Sequence, residues 1–153
     1  MDVFVDGSYD PASSSGGWAF VAYEGGGEVH SGHGQTSVSS NNTAELLALY
    51  QAVRWINTAA SGLSISIWTD SFPTVEGCNR WRLIWRNNGW RRIDRNPRSR
   101  KRSLPDAELW QALDAELAQC PQISINWCKG HSGSPRNERA DALARAACFG
   151  SVT

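Results

Sequence analysis

At 153 residues the chain can bury an ordinary core without disulfides or metal ions as staples, and it fits one domain over residues 1–153. Its 4 Cys, at 78, 120, 128 and 148, form no CxxC pair and no zinc-type Cys/His spacing, and nowhere do about eighteen apolar residues follow one another. A disulfide scaffold, a zinc ribbon and a membrane span are therefore excluded, and with no basic-then-apolar leader in MDVFVDGSYD the expected compartment is the cytoplasm.

Residues 2–6, 16–23 and 28–35 read as three strands joined by Asp-Pro-Ala-Ser and Gly25-Gly26-Gly27, the turn chemistry of an antiparallel meander. From Thr43 to Ala60 the period changes. Apolar residues recur at 46, 49, 53 and 56, an amphipathic helix with Ser40, Asn41 or Asn42 as its N-cap. At about 100° per residue Glu45 falls within about 20° of Ile56, inside the apolar stripe. An acid there is either at the exposed end of the stripe or a ligand, and a first-turn Glu also favours the helix dipole.

Residues 63–69 form an apolar strand that stops at Asp70-Ser71, and the helix-to-strand step suggests a crossover into parallel pairing. A helix is expected from about Thr74, broken before Asn87-Asn88-Gly89, with Trp81 and Trp85 one turn apart on one side and Arg82 and Arg86 on another. Here begins NRWRLIWRNNGWRRIDRNPRSRKR, residues 79–102, which holds ten of the 15 Lys and Arg and three of the 8 Trp. With only Asp94 against its cations this stretch carries plus nine, the rest of the chain minus nine, so the formal neutrality hides a dipole. A basic patch on an acidic body points to a polyanion, nucleic acid above all. A charge run is also compatible with a solvated face or a disordered arm, though the interleaved Trp argue against plain disorder. A helix near 105–119, a strand at 123–128 and a helix from Pro135 to Cys148 complete the order βββαβααβα, an α/β pattern with a mixed sheet.

Asp6 and Asp70 each end an apolar strand, just before Gly7 and Ser71. Taken singly, each is a turn-starting Asp. If the strands lie side by side, both carboxylates meet Glu45 at one rim, where their repulsion is costly without a cation. An all-oxygen cluster suits Mg²⁺ or Mn²⁺ rather than zinc. His131, between Gly130 and Gly133, and Asp141, in the second turn of the last helix, read alone as surface residues and gain meaning only beside the other acids.

DGS at 6–8, NNTAE at 41–45, TDS at 69–71, and KGHSG with NERAD at 129–141 stand in the order and spacing of type 1 ribonuclease H, which the chain resembles over nearly its whole length. The resemblance implies a ribonuclease H-like α/β fold, a five-stranded mixed sheet flanked by helices. It also implies an endonuclease that hydrolyses the RNA strand of RNA/DNA hybrids by two-metal-ion catalysis, leaving 5′-phosphate and 3′-hydroxyl products. The family's metal-binding acids map onto Asp6, Glu45, Asp70 and Asp141, holding two Mg²⁺ ions with Mn²⁺ as a substitute, and His131 matches the loop histidine that moves protons or helps product leave. Asn41, Asn42 and the backbone around Gly7, Ser8 and Ser71 would meet RNA 2′-hydroxyls in the minor groove. The basic stretch resembles the handle that grips the DNA strand. Trp81 matches an aromatic lying against DNA sugars, Trp85 and Trp90 read as handle core, and Arg82, Arg86, Arg91, Arg92, Arg98, Arg100, Lys101 and Arg102 are its candidate phosphate ligands.

Several residues depart from the family pattern. Phe72, followed by Pro73, stands where many bacterial members have Gln, so an apolar contact to RNA is expected in place of a polar one. Ser40 matches the hydroxyl of the family's DNA-phosphate pocket, but the Asn expected after the handle is missing, with Ser103 to Asp106 in its neighbourhood. The loop from Arg98 to Pro105 is longer than the bacterial pattern. Because the chain begins almost on its first strand, no separate N-terminal hybrid-binding module and no processivity are expected, and a monomer is. Two other readings stay open, a non-catalytic nucleic-acid-binding module and a DNA-acting nuclease of the same fold. The four acids with His131 weigh against the first, and the TDS and KGHSG blocks against the second.

Overall fold

The computed structural model describes residues 1–91, 96, 104–130 and 133–150. Strands β1 (Asp2–Asp10), β2 (Ser15–Glu24) and β3 (Gly27–Ser37) form the antiparallel meander, and helix α1 (Asn41–Ala59) crosses over to β4 (Ile65–Thr69). Strand β4 pairs in parallel with β1 and with β5 (Ile123–Trp127), giving one five-stranded mixed sheet in the order β3-β2-β1-β4-β5. After β4 the chain runs through α2 (Phe72–Glu76), a π-helical turn (Gly77–Trp81) and α3 (Arg82–Asn87); α4 (Ala107–Ala118) and, beyond β5, α5 (Pro135–Cys148) complete the fold. Counting 72–87 as one helical stretch, the observed order is the expected βββαβααβα.

The central strand explains why VFV reads as a continuous apolar run. Val3 and Val5 face α1 and α4 in a core with Leu49, Val53, Ile67 and Leu113, while Phe4 points the other way to Val21 and to Ala140 of α5. Both faces of β1 are thus covered, which anchors the strand end where Asp6 sits. The face that α5 turns to the sheet is small, Ala140, Ala144 and Ala147, so the helix lies close. A Cβ on Gly17 of β2 would collide with the backbone of Ala144 and Cys148.

Three boundaries shift from expectation, each for a local reason. Helix α1 starts at Asn41 rather than Thr43 because Ser40 is its N-cap, its Oγ accepting from the Thr43 N–H at 3.1 Å. Strand β4 starts at Ile65 because Gly62, at φ +85°, still belongs to the turn and Leu63 is exposed. The helix expected from Thr74 starts at Phe72, capped by Ser71, and carries a π turn. The Trp110 ring of α4 lies against Gly77 in that turn, in the space a Cβ would fill.

Candidate active site

Three elements deliver three acids to one rim of the sheet. Asp6 sits late in β1, Asp70 directly follows β4, and Glu45 lies in the first turns of α1. Carboxylate oxygens of the three fall within 4.8 Å of one another. The approach of α1 to β1 depends on Gly7, because a Cβ there would collide with the backbone of Ala44 and Glu45. That close packing lets the Gly7 N–H donate to Glu45 Oε2 at 3.1 Å, which aims the side chain at Asp6. The wheel position of Glu45 is thereby settled: it is a buried member of the stripe, 5 % exposed, not a residue at its wet end.

Asp70 is fixed from both sides. Ahead of it, Thr69 is fully buried and its hydroxyl accepts from the Ser71 N–H at 3.1 Å, while Ser71 Oγ lies 2.8 Å from Thr74 Oγ1 as it caps α2. Behind it, the Cys128 N–H donates to the Thr69 carbonyl at 2.9 Å and brings the loop after β5 over the site. A Cβ on Gly130 would stand 2.8 Å from Asp70 Oδ2, so glycine at 130 leaves the carboxylate its room.

The electrostatics follow from this crowding. Burial, then the charges of Glu45 and Asp70, then a hydrogen bond and charge from Asp141 push the Asp6 carboxyl well above the usual carboxylate range. Burial and the Asp70 charge likewise push Glu45 up, against the hydrogen bonds from Asp6 and Gly7. Such a pair stays neutral unless a cation joins it. The donor set fits a hard divalent metal: carboxylate oxygens on fixed elements, no sulfur or imidazole among the described residues of the cluster, and a charge deficit the protein leaves uncompensated.

Asp141 lines the same cleft of about 310 Å³ but stands outside the three-acid group. Its carboxylate accepts from Arg145 Nε at 3.2 Å. Gly7, Ser8 and Asn41 also line the cleft, as expected, while Tyr9 and Arg145 are additions that sequence reading missed. The signal for Arg145 was present, since it stands four residues after Asp141 on one helix.

Beyond the acids the expected nucleic-acid ligands divide. Asn42 is exposed in the first turn of α1, and Phe72 is 58 % exposed beside the site. The Ser40 and Thr43 hydroxyls lie 2.9 Å apart, and Thr43 Oγ1 donates to the carboxylate of Asp106, 2.9 and 3.0 Å from its two oxygens. An acid at φ +58° thus stands where the family resemblance calls for an Asn. Trp81 stacks on Trp85 at 6.4 Å with the Arg80 guanidinium 5.1 Å from its ring centre, and Trp85 and Trp90 pack against the core.

Arg82 and Arg86 do something other than the expected phosphate binding. Both reach Asp114 on α4, Arg82 Nη1 at 2.5 Å and Arg86 Nη2 and Nε at 2.5 and 2.9 Å. Burial pushes the Asp114 carboxyl up, but the hydrogen bonds and charges of Arg86 and Arg82 outweigh it and hold it below the usual range. A carboxylate only 14 % exposed needs those cations, which turns the pair into a structural clamp. Arg91 is exposed, and His131, Arg92, Arg98, Arg100, Lys101 and Arg102 lie outside the described residues.

The family model for RNase H matches residues 1–149. The ribonuclease H of Rhizobium johnstonii is 36 % identical over 145 residues, covering 95 % of this chain and 89 % of that protein. That of Cupriavidus metallidurans is 38 % identical over 144 residues, covering 94 % and 92 %. Among solved structures, LC9-RNase H1, described as a type 1 RNase H with the type 2 active-site motif, superposes with a TM-score of 0.79 at 25 % identity, over 99 % of this chain and 72 % of that one.

Proposed function

This chain belongs to the RNase H family, and from that membership we propose how its residues divide the work of cutting the RNA strand of an RNA/DNA hybrid. Asp6, Glu45, Asp70 and Asp141 hold two Mg²⁺ ions, with Mn²⁺ as a substitute. When bound, such ions supply acidity to a water and counter-charge to phosphate oxygens. The observation that carries the reading is the convergence of three carboxylates from β1, α1 and the end of β4 to within 4.8 Å, two of them buried.

The chain's own residues supply position. Gly7 N–H holds Glu45 to the cluster, and the packing of Gly130 on Asp70 fixes the third acid. Asn41, Asn42 and the backbone at Gly7, Ser8 and Ser71 lie along the cleft mouth or beside it, suited to 2′-hydroxyls, the groups that distinguish RNA from DNA. Phe72 offers an apolar surface to the RNA strand, and Trp81 with Arg91 and the basic residues 92–102 meets the DNA strand. His131 moves a proton or assists product release, and Ser40 spends its hydroxyl on capping α1. The protein acts as a single domain and a monomer in the cytoplasm. Among the described residues no helix is long and apolar enough to cross a membrane.

Incubation with Mg²⁺ and labelled RNA/DNA hybrid, duplex DNA or duplex RNA tests the reading, with Asp70→Asn as the paired variant. Cleavage of the hybrid alone, to 5′-phosphate ends, is expected from the parent. Asp70→Asn should abolish cleavage and leave hybrid binding in EDTA intact, because it alters the metal cluster and no part of the handle. More than a few per cent of residual activity would remove Asp70 from the metal site.

A further inference from the structure

We propose that Arg145 is a substrate ligand of the cleft, a guanidinium that grips a phosphate of the RNA strand with one edge while orienting Asp141 with the other. The inference rests on the hybrid-cleaving function above and adds a residue to it. A polyanion has to enter a cleft whose walls carry Asp6, Glu45, Asp70 and Asp141. Among the described residues that line it, Arg145 is the single cation.

The three arginines of α5 are placed for different tasks. Arg136 lies over the Tyr23 ring at 4.4 Å with Nη1 3.7 Å from Asp2, and Arg139 Nε pairs with Glu28 at 3.3 Å; both brace the helix against the sheet. Arg145 turns to the cleft instead. Its Nε is 3.2 Å from both Asp141 oxygens, with the two side chains 58 % and 29 % exposed. An exposed ion pair one helical turn apart contributes little to stability. Only Nε is engaged there, so both Nη groups keep their donors, in the planar fork that matches two phosphate oxygens. The contrast is Asp114, where two guanidinium groups converge on one largely buried carboxylate.

Two consequences separate this role from a purely structural one. A phosphate ligand contributes to hybrid binding in the absence of any metal, and it adds to the number of counterions released. Full-length parent, Arg145→Gln and Arg145→Lys are titrated by fluorescence anisotropy with labelled hybrid in EDTA at several salt concentrations, and kcat and KM are then taken in Mg²⁺. Arg145→Gln should bind about fivefold more weakly at low salt, and the slope of log K against log salt should flatten by roughly 0.9. Arg145→Lys should keep the parent slope, since its charge remains, but lose kcat, since an ammonium cannot share Asp141 and a phosphate in one plane.

A Gln variant with parent affinity and parent slope overturns the proposal, even if its kcat falls, because Arg145 then acts on Asp141 alone. Should the Gln variant fail to melt cooperatively, the Lys variant decides: unchanged kcat and KM would show that the fork geometry is not used. Failure of the parent itself to cut the hybrid would instead overturn the functional reading.

Discussion

At the scale of single residues, Asp6 and Glu45 put the metal requirement into the folding equilibrium. Both carboxyls are raised by burial and by mutual or neighbouring negative charge, so the metal-free native state holds protons that the unfolded chain releases. Folded chains then bind more protons than unfolded ones from about pH 4 up through the raised values, and stability falls as pH climbs through that window. In EDTA the melting midpoint should drop between pH 5 and 8.5, and the increment restored by Mg²⁺ should grow over the same range. Glu45→Gln should flatten both trends. A metal-free midpoint that is level or rises with pH would mean that the two acids are ionised without a cation. The placement of Glu45 was legible as an acid inside an apolar stripe, and Asp6 and Asp70 as acids ending apolar strands. The Thr43 to Asp106 bond was not, since it joins residues 63 apart across a backbone at φ +58° that no local pattern announces.

At the scale of elements, the handle helix is held to the body by α4. Trp85 meets Trp110 edge-on with ring centres 5.1 Å apart, and Arg82 and Arg86 close on Asp114 one turn further along α4. The i,i+4 spacing of the two arginines was readable, but their purpose was not, because the partner acid is 28 and 32 residues away and a basic run looks the same whether it faces solvent, DNA or a carboxylate. Nor was the π turn, which follows from the seat that Gly77 leaves for the Trp110 ring. Asp114→Asn leaves two cations facing a neutral amide and loosens the seat of α3. It should lower the melting midpoint by roughly 3 °C and raise KM for hybrid while sparing kcat, because the metal cluster lies on other elements. A parent-like midpoint and KM would show that the tryptophan contact alone docks the handle.

At the scale of the whole molecule, the chain is an electric dipole laid along its substrate. Residues 79–102 carry plus nine against minus nine for the rest, and the acids that cut are gathered on the negative part. A hybrid has two chemically different strands, and this separation gives each its own surface: carboxylates and asparagines for the RNA, cations and tryptophan for the DNA. With Arg82 and Arg86 committed to Asp114, the DNA contacts fall to the cations further along the stretch. Each phosphate neutralised releases counterions, so log K should fall with log salt by roughly 0.9 per contact, the duplex DNA value. Phosphate contacts position without specifying, so cleavage-sequence preference should hardly move. Replacing Arg98, Arg100, Lys101 and Arg102 together with Ser should therefore raise KM at moderate salt and flatten the salt slope. It should leave kcat at saturating hybrid nearly unchanged, since none of the four stands among the metal-binding acids. A solvated arm predicts the parent KM and the parent slope. Measured at salt concentrations spanning about 50 to 200 mM, parallel lines of equal height would show that these four residues never touch the substrate, and would move the DNA grip back to Arg80 through Arg95.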